Sequence, residues 1–157
     1  MSGVASRAMR DLRSLAVFSL CLSATTFAEP PAEDPCPLSE AKVAEVTGMK
    51  VTKKELRPFT FGVTQCVYVM ESGTLQFQRV MPEAKGVKTE AELAAKFAEE
   101  DKRRLLKDFS VPAYSFTGGV HVVLPTGVWQ VLAIRGPGGG LDPMKLGKAL
   151  VEAKLKK

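Results

Sequence analysis

Ser39-Glu40-Ala41-Lys42 sets a hydroxyl and an amine one helical turn apart, the spacing at which a lysine takes the proton of an acyl-transfer serine. That chemistry also needs Ser-Asp-Asn and Lys-Thr-Gly. Neither occurs, and Lys88-Thr89-Glu90 is only a near miss. Ser39 is equally explained as a helix cap, so a Ser-Lys hydrolase is the remote reading. Gly136-Pro137-Gly138-Gly139-Gly140 precedes a helix and could offer backbone N–H groups to a phosphate. The dinucleotide fingerprint fails at Leu141, however, and Gly147-Lys148 falls inside the helix rather than before it. Asp142, at the cap, would also repel an anion. His121 is the single histidine, which removes any site built on two imidazoles, and no Gly-x-Ser-x-Gly is present to pair with it. No catalytic residue, metal or cofactor is expected.

The elements that could position chemistry begin with an address. Arg7, Arg10 and Arg13 precede an apolar run over 15–24, and Thr26-Phe27-Ala28 ends on a small residue. This predicts an export signal over 1–28. The run is too short for a bilayer span, which takes roughly 20 residues. Met9 is an alternative start, and Leu20 before Cys21 is a poor fit to lipidation. Residues 29–35 read as a flexible lead-in, and 36–157 as one domain. The chain of 157 residues carries a net +5, and loss of three arginines and Asp11 with the signal lowers this to +3. So small an excess does not point to nucleic acid. Hydrophobic residues at 45% and charged ones at 25% are ordinary globular values; they exclude collagen, a long disordered tail and a polytopic membrane protein. Past the signal only Cys36 and Cys66 remain, and an exported compartment, periplasmic or external, favours their pairing. The bridge would close a loop of about thirty residues, worth roughly 3.5 kcal/mol; two reduced buried thiols are the alternative.

Local signals predict a helix from the Ser39 cap to Gly48, a second from the Thr89-Glu90-Ala91-Glu92 capping box to about Lys107, and a third over 143–156 behind Asp142-Pro143. Strands are expected at 49–53, 61–70, 74–81, 109–115, 120–124 and 128–134. Helix, strands, helix, strands, helix suggests a duplicated plan. The expected fold is α+β: an antiparallel sheet with helices packed on one face.

Turns at Ser72-Gly73 and Thr126-Gly127 would set Met70 opposite Leu75, Tyr68 opposite Phe77 and Cys66 opposite Arg79. They would also set Leu124 opposite Trp129, Val122 opposite Val131 and Val120 opposite Ala133. The other side of the pleat would pair Val69 with Gln76, Val67 with Gln78, Val123 with Gln130 and His121 with Leu132. One side is thus apolar, with Arg79 as an inconsistency, and a Cys36–Cys66 bridge would hold the first helix there. The reverse side mixes valines, leucine, glutamines and histidine without charge. Such a side suits a protein partner or an elongated small ligand, unless Phe59, the lead-in or an unassigned loop covers it.

Asp34-Pro35-Cys36-Pro37-Leu38-Ser39, then Val43 and Gly48, then Cys66-Val67-Tyr68 and a closing Ala113-Tyr114, two strands and a helix resemble a family of exported bacterial domains of unknown function, many of them actinobacterial lipoproteins. The resemblance implies an extracytoplasmic disulfide-bonded α+β domain and supplies no catalytic residue. The expected function is a non-enzymatic binding module using Val67, Val69, Gln76, Gln78, His121, Val123, Gln130 and Leu132. The alternative is an inhibitor of an extracellular hydrolase, acting through Glu71-Ser72-Gly73 or the glycine loop. Lys102, Arg103, Arg104 and Lys107 could add contact with an anionic surface, although helix-end solvation explains them equally.

Overall fold

The computed structural model describes residues 34–136 and 140–156. The expected signal over 1–28, Cys21, most of the expected lead-in and the centre of the glycine loop lie outside the described residues. The fold is α+β. Helices α1 (Glu40–Thr47), α2 (Glu90–Glu100) and α3 (Pro143–Leu155) accompany six strands: β1 (Val51–Pro58), β2 (Thr64–Met70), β3 (Gly73–Val80), β4 (Ala113–Phe116), β5 (Gly119–Leu124) and β6 (Gly127–Arg135). All neighbours are antiparallel, in the order β1-β2-β3-β6-β5-β4. Two three-stranded meanders therefore meet at β3 and β6, and each follows a helix in the chain. Gly127 lies 54 positions after Gly73, and the same step carries Phe77 onto Val131, its own cross-strand partner. A pseudo-twofold axis thus passes through that pair.

The helix starts follow from side chains that accept backbone N–H groups within one turn. Ser39 Oγ accepts from Lys42 N, Thr89 Oγ1 from Glu92 N, and Asp142 from Met144 N. Leu38 and Val43 are both buried, completing the staple at α1. Gly48 stops α1 with φ 69°, a left-handed C-cap.

Both hairpins turn one residue earlier than expected. The turn residues are Glu71-Ser72 and Pro125-Thr126, so Met70 pairs with Gly73 and Leu124 with Gly127. Every pairing moves by two. Cys66 faces Phe77, Tyr68 faces Leu75, Val67 faces Gln76 and Val69 faces Thr74. Val120 faces Val131, Val122 faces Trp129, His121 faces Gln130 and Val123 faces Val128. The glycines serve as first strand residues at φ 144° and 129° rather than as turn residues. A Cβ on Gly73 would stand 2.3 Å from the Ile134 carbonyl oxygen. A shift of two leaves each side chain on its side of the pleat. The division of faces is therefore as expected.

Four boundaries differ, among them β4, which begins at Ala113 after Pro112 rather than at 109. β1 runs to Pro58, because Lys53, Lys54 and Arg57 form an outer strand whose charges reach water while its backbone pairs with β2. β2 begins only at Thr64, with Phe61 in a preceding 3₁₀ turn. α2 ends at Glu100. After a 3₁₀ turn over Lys102–Arg104, Leu105 bridges to Tyr114 and Leu106 N donates to Ala113 O. The chain there is drawn out beside β4 instead of winding on.

One sheet face carries the main core: Cys66, Tyr68, Phe77, Val122, Trp129 and Val131 under Val43 of α1 and Leu146, Leu150 and Val151 of α3. Cys36 and Cys66 form a disulfide with Cα atoms 5.0 Å apart, tying the lead into α1 to the centre of β2. Tyr68 Oη donates to the Leu38 carbonyl beside it. The helices do not share one face. Leu93 and Phe97 of α2 pack on the reverse side against Val80, Tyr114 and Val128, the apolar part of that side having found its own helix. Arg79 lies at the margin, where its guanidinium pairs with Glu90 at 2.5 Å and donates to Thr126 O at 2.6 Å.

Candidate functional site

Alternation along the strands lines up one residue from each across the reverse face. Arg57 pairs with Gln65, Gln78 with Gln130, Gln130 with His121, and His121 with Tyr114. Gln65 Nε2 donates to Gln78 Oε1 and to Gln76 Oε1, both at 2.9 Å. Gln78 Nε2 donates to Gln130 Oε1 at 2.6 Å. Four glutamines from three strands thus form one hydrogen-bonded row. Gln65 and Gln78 are 8% and 9% exposed, whereas Gln76 and Gln130 are half-buried. Inside a sheet such amides are tolerated because each finds a partner.

The 3₁₀ turn Thr60–Gly62 after β1 supplies a wall. Phe59 N donates to Val63 O at 2.8 Å, closing the turn. Phe61 inside it sits at φ 58°, a left-handed conformation rare for a bulky side chain. Phe59 and Phe61 are 47% and 61% exposed. Two neighbouring clefts result. One of 160 Å³ lies between Phe59, the four glutamines and Leu132. The other, of 240 Å³, continues past Phe61 to Lys85 and His121 and shares Phe59, Gln78 and Gln130 with the first.

His121 closes the far end. Its ring lies 4.6 Å from Phe97 and 4.5 Å from Phe116, centroid to centroid. Burial pushes its pKa from 6.5 down to about 4, so the imidazole is neutral at physiological pH. Its Nδ1 is buried and makes no hydrogen bond among the described residues.

The eight residues expected on this face all lie on it, but not alike. Val67 is buried outright and Gln78 nearly so; Val123 is half-buried and packs toward α2. Val69, Gln76, Gln130, His121 and Leu132 remain partly accessible. Gln65 was missed, although one more step of alternation beyond Val69 and Val67 reaches it. Phe61 was read as strand. Phe59, the alternative cover for this face, forms one wall of the cleft.

The other chemistry-bearing residues stand apart. Ser39 Oγ is occupied by Lys42 N at 3.1 Å, while Lys42 Nζ pairs with Glu45 at 2.8 Å. Its hydrogen bond to Glu45 raises the Lys42 pKa, the opposite of what a proton-accepting lysine needs. Lys102, Arg103, Arg104 and Lys107 are exposed, with Arg104 3.6 Å from Asp101. Among the described residues, no cluster of three His, Cys, Asp or Glu side chains could hold a metal ion.

No family model, curated protein or solved structure matches the chain.

Proposed function

We propose that the chain is an exported, non-enzymatic binding module that holds an elongated, uncharged ligand or partner segment against the reverse face of β2, β3 and β6. The observation that carries this reading is the glutamine row. Natural sheets meet water with charged or small polar side chains, and bury faces with aliphatic ones. Here four amides are sunk among Val67, Leu132 and Phe59, hydrogen-bonded to one another, and open to solvent at two ends. Groups that are polar, uncharged and held in place set the orientation of a ligand in a largely apolar cleft.

Export is supported by the basic start, short apolar run and small-residue end over 1–28, and by the Cys36–Cys66 disulfide. The hairpin tip gives the inhibitor reading little support, since Ser72 O accepts from Gly136 N at 2.7 Å and the tip is tied down rather than projecting.

The test is a titration of ¹⁵N-labelled mature protein with neutral oligosaccharides and uncharged peptides. Saturable shifts centred on Gln76, Gln130 and Leu132, abolished by Gln76→Lys, are expected. Shifts confined to α3 or to the basic turn, or none with any probe, would refute the reading.

A further inference from the structure

The hydrogen-bond direction within the row narrows the ligand's chemistry. Gln65 donates to Gln76 and Gln78, and Gln78 donates to Gln130. Both ends, Gln76 and Gln130, therefore turn an Nε2 away from the network, and neither has an acceptor among the described residues. If all four amides rotate by half a turn, every internal hydrogen bond survives with donor and acceptor exchanged. Both ends then present carbonyl oxygens. The row has two equivalent settings, two outward donors or two outward acceptors, and no mixed one that keeps its bonds.

A carboxylate or phosphate, which only accepts, meets one setting; an ammonium, which only donates, meets the other. A hydroxyl both donates and accepts and so is served by either. Charge points the same way. The cations bordering the larger cleft are engaged, Arg79 with Glu90 and Lys85 with Glu100 at 3.7 Å, and the row itself is neutral. The remaining walls are mostly apolar, with Phe59, Phe61, Val63 and Leu132, and the neutral Thr60 and His121 are their polar members. Clefts of 240 and 160 Å³ each fall below the roughly 300 Å³ of a site for a compact drug-sized molecule, yet they share a wall. That shape suits small rings in succession. A peptide strand would instead seek unpaired main-chain groups at a sheet edge, and these clefts lie on a face.

We infer that this cleft takes a short neutral oligosaccharide, one ring laid against Phe59 and its hydroxyls hydrogen-bonded to the outer ends of Gln76 and Gln130. The inference rests on the binding-module reading and supplies its ligand class.

The experiment follows the side-chain NH₂ signals of Gln76 and Gln130 in the ¹⁵N-labelled mature protein. The probes are cellotetraose, maltotetraose, tetra-N-acetylchitotetraose and, as the other arm, an uncharged hexapeptide. At least one tetrasaccharide moves both signals saturably with a Kd of about 1 mM or tighter, and Phe59→Ala weakens it about tenfold. Phe59→Leu, which keeps apolar bulk without the ring, guards against misfolding and gives an intermediate loss. Signals moved by the peptide alone overturn the saccharide inference and leave the binding face standing. Signals moved by no probe take down both. A tetrasaccharide that binds equally well to Phe59→Ala also overturns it.

Discussion

The two meanders share their hairpins and differ in what covers them. The step of 54 residues that carries Phe77 onto Val131 also carries Leu75 onto Trp129, Gln76 onto Gln130, and Gly73 onto Gly127. If the symmetry extended to the helices, α1 and α2 would share a face. Instead α1 lies on the core face, and α2 crosses to the reverse face of the second meander, where Leu93 and Phe97 seal Val128 and Tyr114. α3 then takes the core face over β5 and β6. Away from Val80, the reverse side of the first meander receives no α-helix among the described residues, only the Phe59 turn, and there three of the four glutamines sit, with Gln130 beside them on β6. Gly119, in the position equivalent to Gln65, has the Phe116 ring where a Cβ would stand, 2.3 Å away. The reverse face is thus sealed under α2 at its Val80, Tyr114 and Val128 end and left partly open at its glutamine end.

The largest effect is expected where the closed half is unsealed. Phe97→Ala should cost about 3–5 kcal/mol in urea unfolding and expose the Val128 side. A loss below about 1 kcal/mol would mean that α2 does not cover that face. Next, reducing Cys36–Cys66 should cost roughly 3.5 kcal/mol, measured as the change in unfolding free energy with and without reductant. The first meander has this bond in place of a second helix. An unchanged midpoint would show that α1 is held without it.

His121 gives a pH-dependent comparison. Burial lowers its folded pKa to about 4 from 6.5, so the unfolded chain binds a proton more readily. The associated stability is complete above about pH 6.5 and is lost as pH falls toward 4, by about 3 kcal/mol at most. His121→Phe should flatten that part of the profile, and an unaltered slope would count against a buried neutral imidazole. Smaller still, Gln78→Ala interrupts the row between Gln65 and Gln130 and should cost about 1–2 kcal/mol. Gln76→Ala, at an open end, should cost less than half of that by the same denaturation assay. Equal losses would mean that the row is not wired as described.

The caps at Ser39, Thr89 and Asp142 were legible in the sequence because each is a side chain meeting a backbone N–H two or three residues on. The division of faces was legible for a different reason. Misplacing both turns by one residue moved the pairings by two, and the pleat forgives even errors. β1 was read short because an outer strand bearing Lys53, Lys54 and Arg57 shows no alternation; its pairing with β2, not its composition, makes it a strand. Nothing local says on which side of a sheet α2 will land, so its crossing was illegible, and with it the closure around Val128. At the candidate site, Gln76, Gln78 and Gln130 were readable from alternation. The bond from Gln78 to Gln130 depends on a contact between strands 52 residues apart, and the Phe59–Phe61 wall on a left-handed turn that alternation does not signal.

The central claim is that the reverse face is open around Gln76, Gln130 and Leu132 and shut under α2 around Val128. Single cysteines at two positions of that face test it most directly, by their rates of alkylation with iodoacetamide in the folded protein. Gln76→Cys should react within about tenfold of its rate in denaturant, while Val128→Cys should be slowed at least about a hundredfold. Equal protection at the two positions, or a protected Gln76→Cys, would contradict the account.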